Sequence, residues 1–338
     1  MSELSKLPFR LGSFEVLEQI GFGLSGNVYK ARYRDGTMVA LKVLSHKSAK
    51  DPTVLGYFTN EQLLLREIKE HRRHPHIVEY FSSNFNTPPF YLATRLVEGA
   101  RSLETIIGGG PFGGRPQPAA FVVRVVSQIA SALDYLHTGH PTFCPIVHRD
   151  VKPANILIDA AGNAVLIDFS IASHPYYARV DEKNLGTPGY MAPEQYTGEE
   201  KPASDQFALA LVTLYMFTGR HPLPERATTS HKQIERWRDS KYEDIVRMLE
   251  HRVHTADVLI RALAYRSEDR YRSCEEFADR LRRALAQDGE QVYEPTPVPL
   301  VAGIQPSSSQ PKQLAVWIGI SFVAFIAIAV LILAVTLV

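Results

Sequence analysis

At 338 residues the chain is long enough for one large two-lobed domain or two ordinary ones, and its 45% hydrophobic content excludes global disorder. Its 37 basic and 36 acidic residues nearly cancel, so no basic field points to nucleic acid as a partner. The two cysteines, Cys144 and Cys274, exclude a disulfide framework and have no metal-ligand spacing around them, which makes a reducing, cytosolic setting the default.

The first residues, MSELSKLPFR, lack the apolar run of a signal peptide. From Phe14 onward FEVLEQI, NVYKARY, TMVALKVL, HIVEYF and PFYLATRLV alternate as strands do. The first two flank Gly21-Phe22-Gly23-Leu24-Ser25-Gly26-Asn27-Val28, a G-x-G-x-x-G-x-V string. Glycines let the backbone come close to phosphates and present N–H groups to their oxygens. A dinucleotide-binding turn needs a helix after its glycines, whereas NVYKARY alternates as a strand. A glycine-rich hairpin over a nucleotide is therefore expected. Lys42 follows inside the apolar strand VALK, where its ammonium must meet an anion or bear the full cost of burial. Its place after the hairpin makes it a candidate ligand for the α- and β-phosphates. An orienting carboxylate is expected on the next helix, FTNEQLLLREIKE. Glu61, nineteen residues after Lys42, is one candidate and Glu67 the other.

Beyond a glycine- and proline-rich insertion from Gly108 to Pro118, helical periodicity takes over in FVVRVVSQIASALDYLH, DQFALALVTLYMFTG and EEFADRLRRALA. An α+β chain with a β-rich small lobe and a mostly helical large lobe follows. Between these helices lie His148-Arg149-Asp150-Val151-Lys152-Pro153-Ala154-Asn155 and, thirteen residues after Asn155, Asp168-Phe169-Ser170. Ala192-Pro193-Glu194, Asp205 and Arg270 follow in order. Residues 287–314 are rich in Pro, Ser and Gln and are expected to form an extended linker. Residues 315–338 carry no charge over 24 positions, about 36 Å as a helix against a hydrocarbon core of about 30 Å. With Lys312 and Trp317 at its entry, this segment is expected to be a C-terminal transmembrane anchor in a lipid bilayer, with the globular part on the cytoplasmic side.

Over about residues 14–286 these motifs together resemble the eukaryotic-like, Hanks-type Ser/Thr protein kinase family in its bacterial, membrane-anchored form. The resemblance implies the two-lobed protein kinase fold, ATP with Mg²⁺ (Mn²⁺ as the alternative cation), and protein substrates with Ser or Thr acceptors. It implies Asp150 as the base that accepts the acceptor's proton, Lys152 near the γ-phosphate, and Asn155 and Asp168 as metal ligands. Lys42, paired with Glu61, would hold the α- and β-phosphates beneath Gly21, Gly23 and Gly26. Ile20, Val28, Ala40 and Leu157 would enclose adenine, with the hinge near Arg95 to Val97 and Thr94 at the back. Glu194 and Arg270 resemble a structural ion pair. Lys152 and the string Gly186-Thr187-Pro188-Gly189-Tyr190 match the Ser/Thr branch, with Thr187 expected to touch Asp150 and Lys152.

Departures from the family pattern are Ser170 in place of glycine, Arg95 in place of an acidic hinge residue, and a long HTGHPTFCP segment. The stretch from His174 to Gly186 has no Ser or Thr, so Asp181 or Glu182 is expected to pair with Arg149 in place of a phosphate, with Tyr176 and Tyr177 as alternative phosphosites. The rival readings are a membrane-tethered pseudokinase scaffold, which predicts erosion at Lys42, Asp150, Asn155 or Asp168, and a small-molecule kinase. All four residues are present, and the Gly186 to Glu194 segment is of the peptide-platform type.

Overall fold

The computed structural model of the chain describes residues 7–23, 26–71, 73–108, 114–139, 145–173, 185–220, 249 and 252–292. The expected membrane helix, most of the linker, Tyr176, Tyr177, Asp181 and Glu182 lie outside these residues, as do parts of the two expected insertions.

Six strands form the small-lobe sheet: β1 (Phe9–Leu11), β2 (Phe14–Gly23), β3 (Gly26–Tyr33), β4 (Met38–Leu44), β5 (Tyr80–Asn84) and β6 (Tyr91–Arg95). They are antiparallel in the order β1-β2-β3-β4-β6-β5. Alternation along each strand sends Phe14, Val16, Tyr29, Ala31, Val39, Leu41 and Ala93 into one apolar cluster. Ala40 and Lys42, at the intervening positions of β4, fall on the other face. That single period sets up the nucleotide side of the sheet.

Helix α1 (Pro52–His71) starts where Asp51 Oδ1 accepts the N–H groups of Thr53 at 2.9 Å and Val54 at 3.3 Å, with proline in the first helical position. Phe58, Leu64, Leu65 and Ile68 bury its apolar face, and Glu61 is buried with them. A carboxylate on such a face needs a charged partner.

The large lobe opens with β7 (Arg101–Ser102) and α2 (Leu103–Ile107), then α3 (Ala119–Thr138). Strands β8 (Ile156–Ile158) and β9 (Ala164–Leu166) complete a sheet of order β7-β8-β9. Helices α4 (Pro202–Thr218), α5 (Val253–Ala262) and α6 (Cys274–Gln287) follow. Every α4 side chain from Ser204 to Phe217 is buried, so this helix is enclosed on all sides, apolar beyond its N-terminal end except for Thr213. Among the described residues α3 is the one helix long and apolar enough to cross a membrane. Its Val122, Val125, Val126, Ile129, Leu133 and Leu136 are buried in the core.

Leu166 of β9 joins the lobes: its N–H donates to His76 O at 2.8 Å, and its carbonyl accepts from Val78 N at 3.0 Å. Asp168 is thereby carried up to the segment that follows α1. At the far end, Asp288 accepts the N–H groups of His254 at 3.0 Å and Thr255 at 2.9 Å, and Arg252 meets Glu290 at 2.7 Å. Packing therefore continues past residue 286, just as β1 precedes residue 14.

Candidate active site

Lys42 Nζ lies 2.7 Å from Glu61 Oε2 and 3.9 Å from Asp168 Oδ1. Of the two carboxylates open in the sequence, Glu61 is the partner. Burial opposes the charge on Lys42, yet Glu61 and Asp168 outweigh it and hold the ammonium above the ordinary lysine range. Burial pushes the Glu61 carboxyl up, against the pull of Lys42. Burial also works against Asp168, but Lys42, Ser170 and His148 together keep its carboxyl below the usual range, hence ionised at neutral pH.

Asp150 is 8% exposed and is gripped from several sides. Its Oδ1 accepts from Thr187 Oγ1 at 2.6 Å and Thr187 N at 3.1 Å. Its Oδ2 lies 2.8 Å from Lys152 Nζ and accepts from Asn155 Nδ2 at 2.9 Å. Lys152 Nζ also donates to Thr187 Oγ1 at 2.6 Å. The expected contact of Thr187 with both residues is present.

The backbone around Asp150 is strained. Arg149 has φ of +66°, a left-handed conformation that costs a residue with a Cβ about 1–3 kcal/mol. The surroundings over-determine it. Asp205, 1% exposed in the first turn of α4, accepts the N–H groups of His148 and Arg149, each at 2.8 Å. Gln195 Nε2 donates to Arg149 O at 3.0 Å. The Arg149 guanidinium bonds Ile171 O at 2.5 Å and Glu200 Oε1 at 2.8 Å.

Asp168 is the other described non-glycine residue at positive φ, +64°. This explains the serine that follows the Asp-Phe pair. The left-handed turn falls on Asp168, Ser170 keeps an ordinary φ, and its N–H donates to Asp168 Oδ1 at 3.3 Å. Phe169 is fully buried, its ring 4.9 Å from that of His148.

The donor set fits a hard divalent cation. Both hydrogen bonds of the Asn155 side chain are made through Nδ2, which leaves Oδ1 as an oxygen ligand. Ile167 N donates to Asn155 O at 3.0 Å, which brings Asn155 to the residue next to Asp168. The nucleotide fits the glycine hairpin for a mixture of reasons. At Gly26, φ is +152° and a Cβ would stand 2.0 Å from Val43 O, so the neighbouring strand itself demands glycine. At Gly21 a Cβ would meet Val28 at an ordinary 3.6 Å, so the chain's own packing does not require glycine there and leaves room for a ligand. Gly23 pairs with Gly26 at the end of the hairpin.

Val28 pairs with Lys42, and Ala40 with Thr94, which puts these positions side by side on the sheet. Ile20 precedes Gly21 on β2 and is 46% exposed, while Leu157 lies on β8 of the large-lobe sheet. Arg95 faces the other way: its guanidinium sits 5.8 Å from the Phe81 ring centre and 3.8 Å from Glu79. Glu194 and Arg270 make the expected pair, with Arg270 nitrogens 2.7 and 2.9 Å from the two Glu194 oxygens.

Three arrangements were not foreseen. Glu200 pairs with Arg149; its only sequence signal is the acidic doublet before α4. Asn60, beside Glu61, donates to carbonyls of the Asp168 segment. Finally, His137 Nε2 bonds Asp205 Oδ2 at 2.7 Å, with Asp134 3.8 Å from Nδ1 and Cys274 beside them. Although burial opposes a charge on His137, Asp134 and Asp205 push its pKa up to about 12. Burial raises the Cys274 thiol to about 12 as well.

Comparison with known proteins agrees with this geometry. The family model described as "Protein kinase domain" matches residues 14–282. The chain is 32% identical to the serine/threonine-protein kinase Pkn1 of Myxococcus xanthus, over 82% of this chain and 39% of that protein. It is 29% identical to PrkC of Bacillus subtilis, over 85% of this chain and 44% of that protein. It thus spans less than half the length of each of these relatives. Among solved structures, the PknI kinase domain of Mycobacterium tuberculosis superposes with a TM-score of 0.60 at 26% identity, covering 82% of this chain and 97% of that one. With its paired Lys42 and Glu61, its ionised Asp168 and its buttressed Asp150, the chain belongs to the protein kinase family.

Proposed function

We propose that the chain transfers the γ-phosphoryl group of ATP to serine and threonine hydroxyls of proteins. One observation carries this reading: Asp150, Lys152, Asn155 and Thr187 meet through contacts of 2.6 to 2.9 Å around one carboxylate. Bound ATP supplies the phosphoryl group, and its Mg²⁺ or Mn²⁺ offsets charge on the phosphate oxygens. Lys42, fixed by Glu61, would hold the α- and β-phosphates. Asn155 Oδ1 and the Asp168 carboxylate would hold the cation. Asp150, held by Thr187 at 2.6 Å, would accept the proton of an acceptor hydroxyl. Lys152 would turn from Asp150 and Thr187 toward the γ-phosphate, neutralising charge during transfer. Most of this is positioning and electrostatics, which is what phosphoryl transfer requires.

We also infer a membrane span over residues 315–338, supported by 24 consecutive uncharged residues. The kinase domain would then lie on the cytoplasmic side, where ATP is.

The test incubates the full chain with γ-labelled ATP and generic protein acceptors, followed by phosphoamino-acid analysis. Label on serine and threonine is expected, reduced by at least about 10²-fold in Asp150→Asn and Lys42→Met. Label confined to tyrosine or to small molecules would overturn the substrate class. Near wild-type turnover in Asp150→Asn would overturn the assigned roles.

A further inference from the structure

The segment from Phe169 to Ala172 leaves its carbonyl groups outside any strand or helix, so their hydrogen bonds must come from elsewhere. Most come from one side chain. Asn60 Nδ2 lies 2.9 Å from Ala172 O, 3.1 Å from Ser170 O and 3.4 Å from Phe169 O. An amide nitrogen has two hydrogens, so the two shorter contacts are full bonds and the third shares a donor. Asn60 immediately precedes Glu61, and the two side chains leave the same turn of α1. One grips the segment behind Asp168, the other grips Lys42.

Two features of that segment make such a grip consequential. Asp168 holds a left-handed backbone that is unfavourable for a residue with a Cβ and persists only where its surroundings over-determine it. Ser170, in place of the family's glycine, narrows the conformations the turn can adopt, so an external clamp can select one of them. We propose that Asn60 is a positioning residue for phosphoryl transfer: its amide ties the segment bearing Asp168 to the helix bearing Glu61, so that Lys42, Glu61 and Asp168 move as one unit. This rests on the kinase reading above. It adds a residue whose amide bonds carbonyls of the Asp168 segment and which would set the position of the proposed cation ligand.

The test uses the full chain with Asn60→Ala and Asn60→Leu, the second retaining most of the volume without a donor. Both variants are expected to lower kcat by about tenfold or more, the effect of losing two hydrogen bonds that hold a strained turn. Both should raise the Mg²⁺ concentration needed for half-maximal rate, while KM for the acceptor changes little. Backbone amide exchange over residues 166–173 should quicken in both without the nucleotide, and exchange in α4 should stay the same. A purely structural role would lower the melting temperature and leave kcat, the Mg²⁺ dependence and local exchange of the folded protein unchanged. That result overturns the proposal, as does Asn60→Leu behaving like wild type. If wild type transfers no phosphoryl group, the kinase reading fails instead. The exchange measurement then decides on the clamp alone, and unaltered exchange rejects it.

Discussion

Replacing Glu200 tests how Arg149 is held. The pair is 2.8 Å apart, with side chains 10% and 9% exposed, so solvent screens it little. Removing one partner of a buried pair typically costs about 3–5 kcal/mol, because the other charge is left uncompensated. Arg149 keeps its bond to Ile171 O and further contacts, so Glu200→Ala falls no higher than the lower end of that range, about 3 kcal/mol. Glu200→Gln retains an acceptor and should lose roughly half as much. For a domain of this size 1 kcal/mol shifts the midpoint by about 2–4 °C, so the alanine variant should melt about 6–12 °C lower. The same guanidinium reaches the segment behind Asp168 and belongs to the residue before Asp150, so activity should fall along with stability. The assay pairs a thermal melt with peptide phosphorylation after phosphatase treatment of every sample. Wild type is expected to keep its activity through that treatment, since a built-in carboxylate does not depend on a phosphate. A Glu200→Ala melt within 1 °C or so of wild type, well below the smallest expected shift, would refute the reasoning. Wild-type activity that disappears on dephosphorylation would do the same for the regulatory half.

Three further outcomes are expected. The folded-state pKa of His137, about 12, lies far above that of an unfolded histidine. Its stabilisation is therefore fully present below about pH 6.5 and is lost progressively as pH rises toward 12; urea unfolding between pH 6 and 10 should show a falling limb that His137→Gln flattens. Cys274, 1% exposed and with its thiol raised to about 12, should resist iodoacetamide in the native protein and react after denaturation, as read by peptide mass mapping. Ending the chain after residue 292 should leave a domain as stable as the full chain, whereas ending it after 286 removes Asp288 and Glu290 and should destabilise α5; equal melting temperatures for the two would contradict this.

Much of the site was legible because phosphoryl transfer demands fixed residue types at nearly fixed intervals. Lys42, Asp150, Asn155 and Asp168 could be named from their strings, and the lobes from a change of period. What the sequence left open was decided by partners distant in the chain. Choosing between Glu61 and Glu67 required the rotation of α1 about its axis, which no single string encodes. The effect of Ser170 depended on which residue of the turn takes the positive φ, and that residue is its neighbour Asp168. Gly26, expected over the phosphates, is required in addition for close approach to Val43, which its motif does not reveal. The expected meeting of Arg149 with Asp181 or Glu182 falls on residues outside the described set; among the described residues a carboxylate 2.8 Å from it is that of Glu200, 51 positions along the chain. Side chains such as Asn60 carry no motif at all.

The bonds of Asp205 imply an order of failure under stress. The loop bearing Asp150 is fastened to α4, whose side chains from Ser204 to Phe217 are all buried, whereas Lys42, the proposed phosphate ligand, belongs to the small-lobe sheet. Local opening draws on regions with few enclosed contacts before it reaches the centre. Mild heat or denaturant should therefore erode nucleotide affinity while the loop around Asp150 is still formed. Added nucleotide would then protect activity more than added acceptor peptide, as a lid is kept shut by whatever lies beneath it.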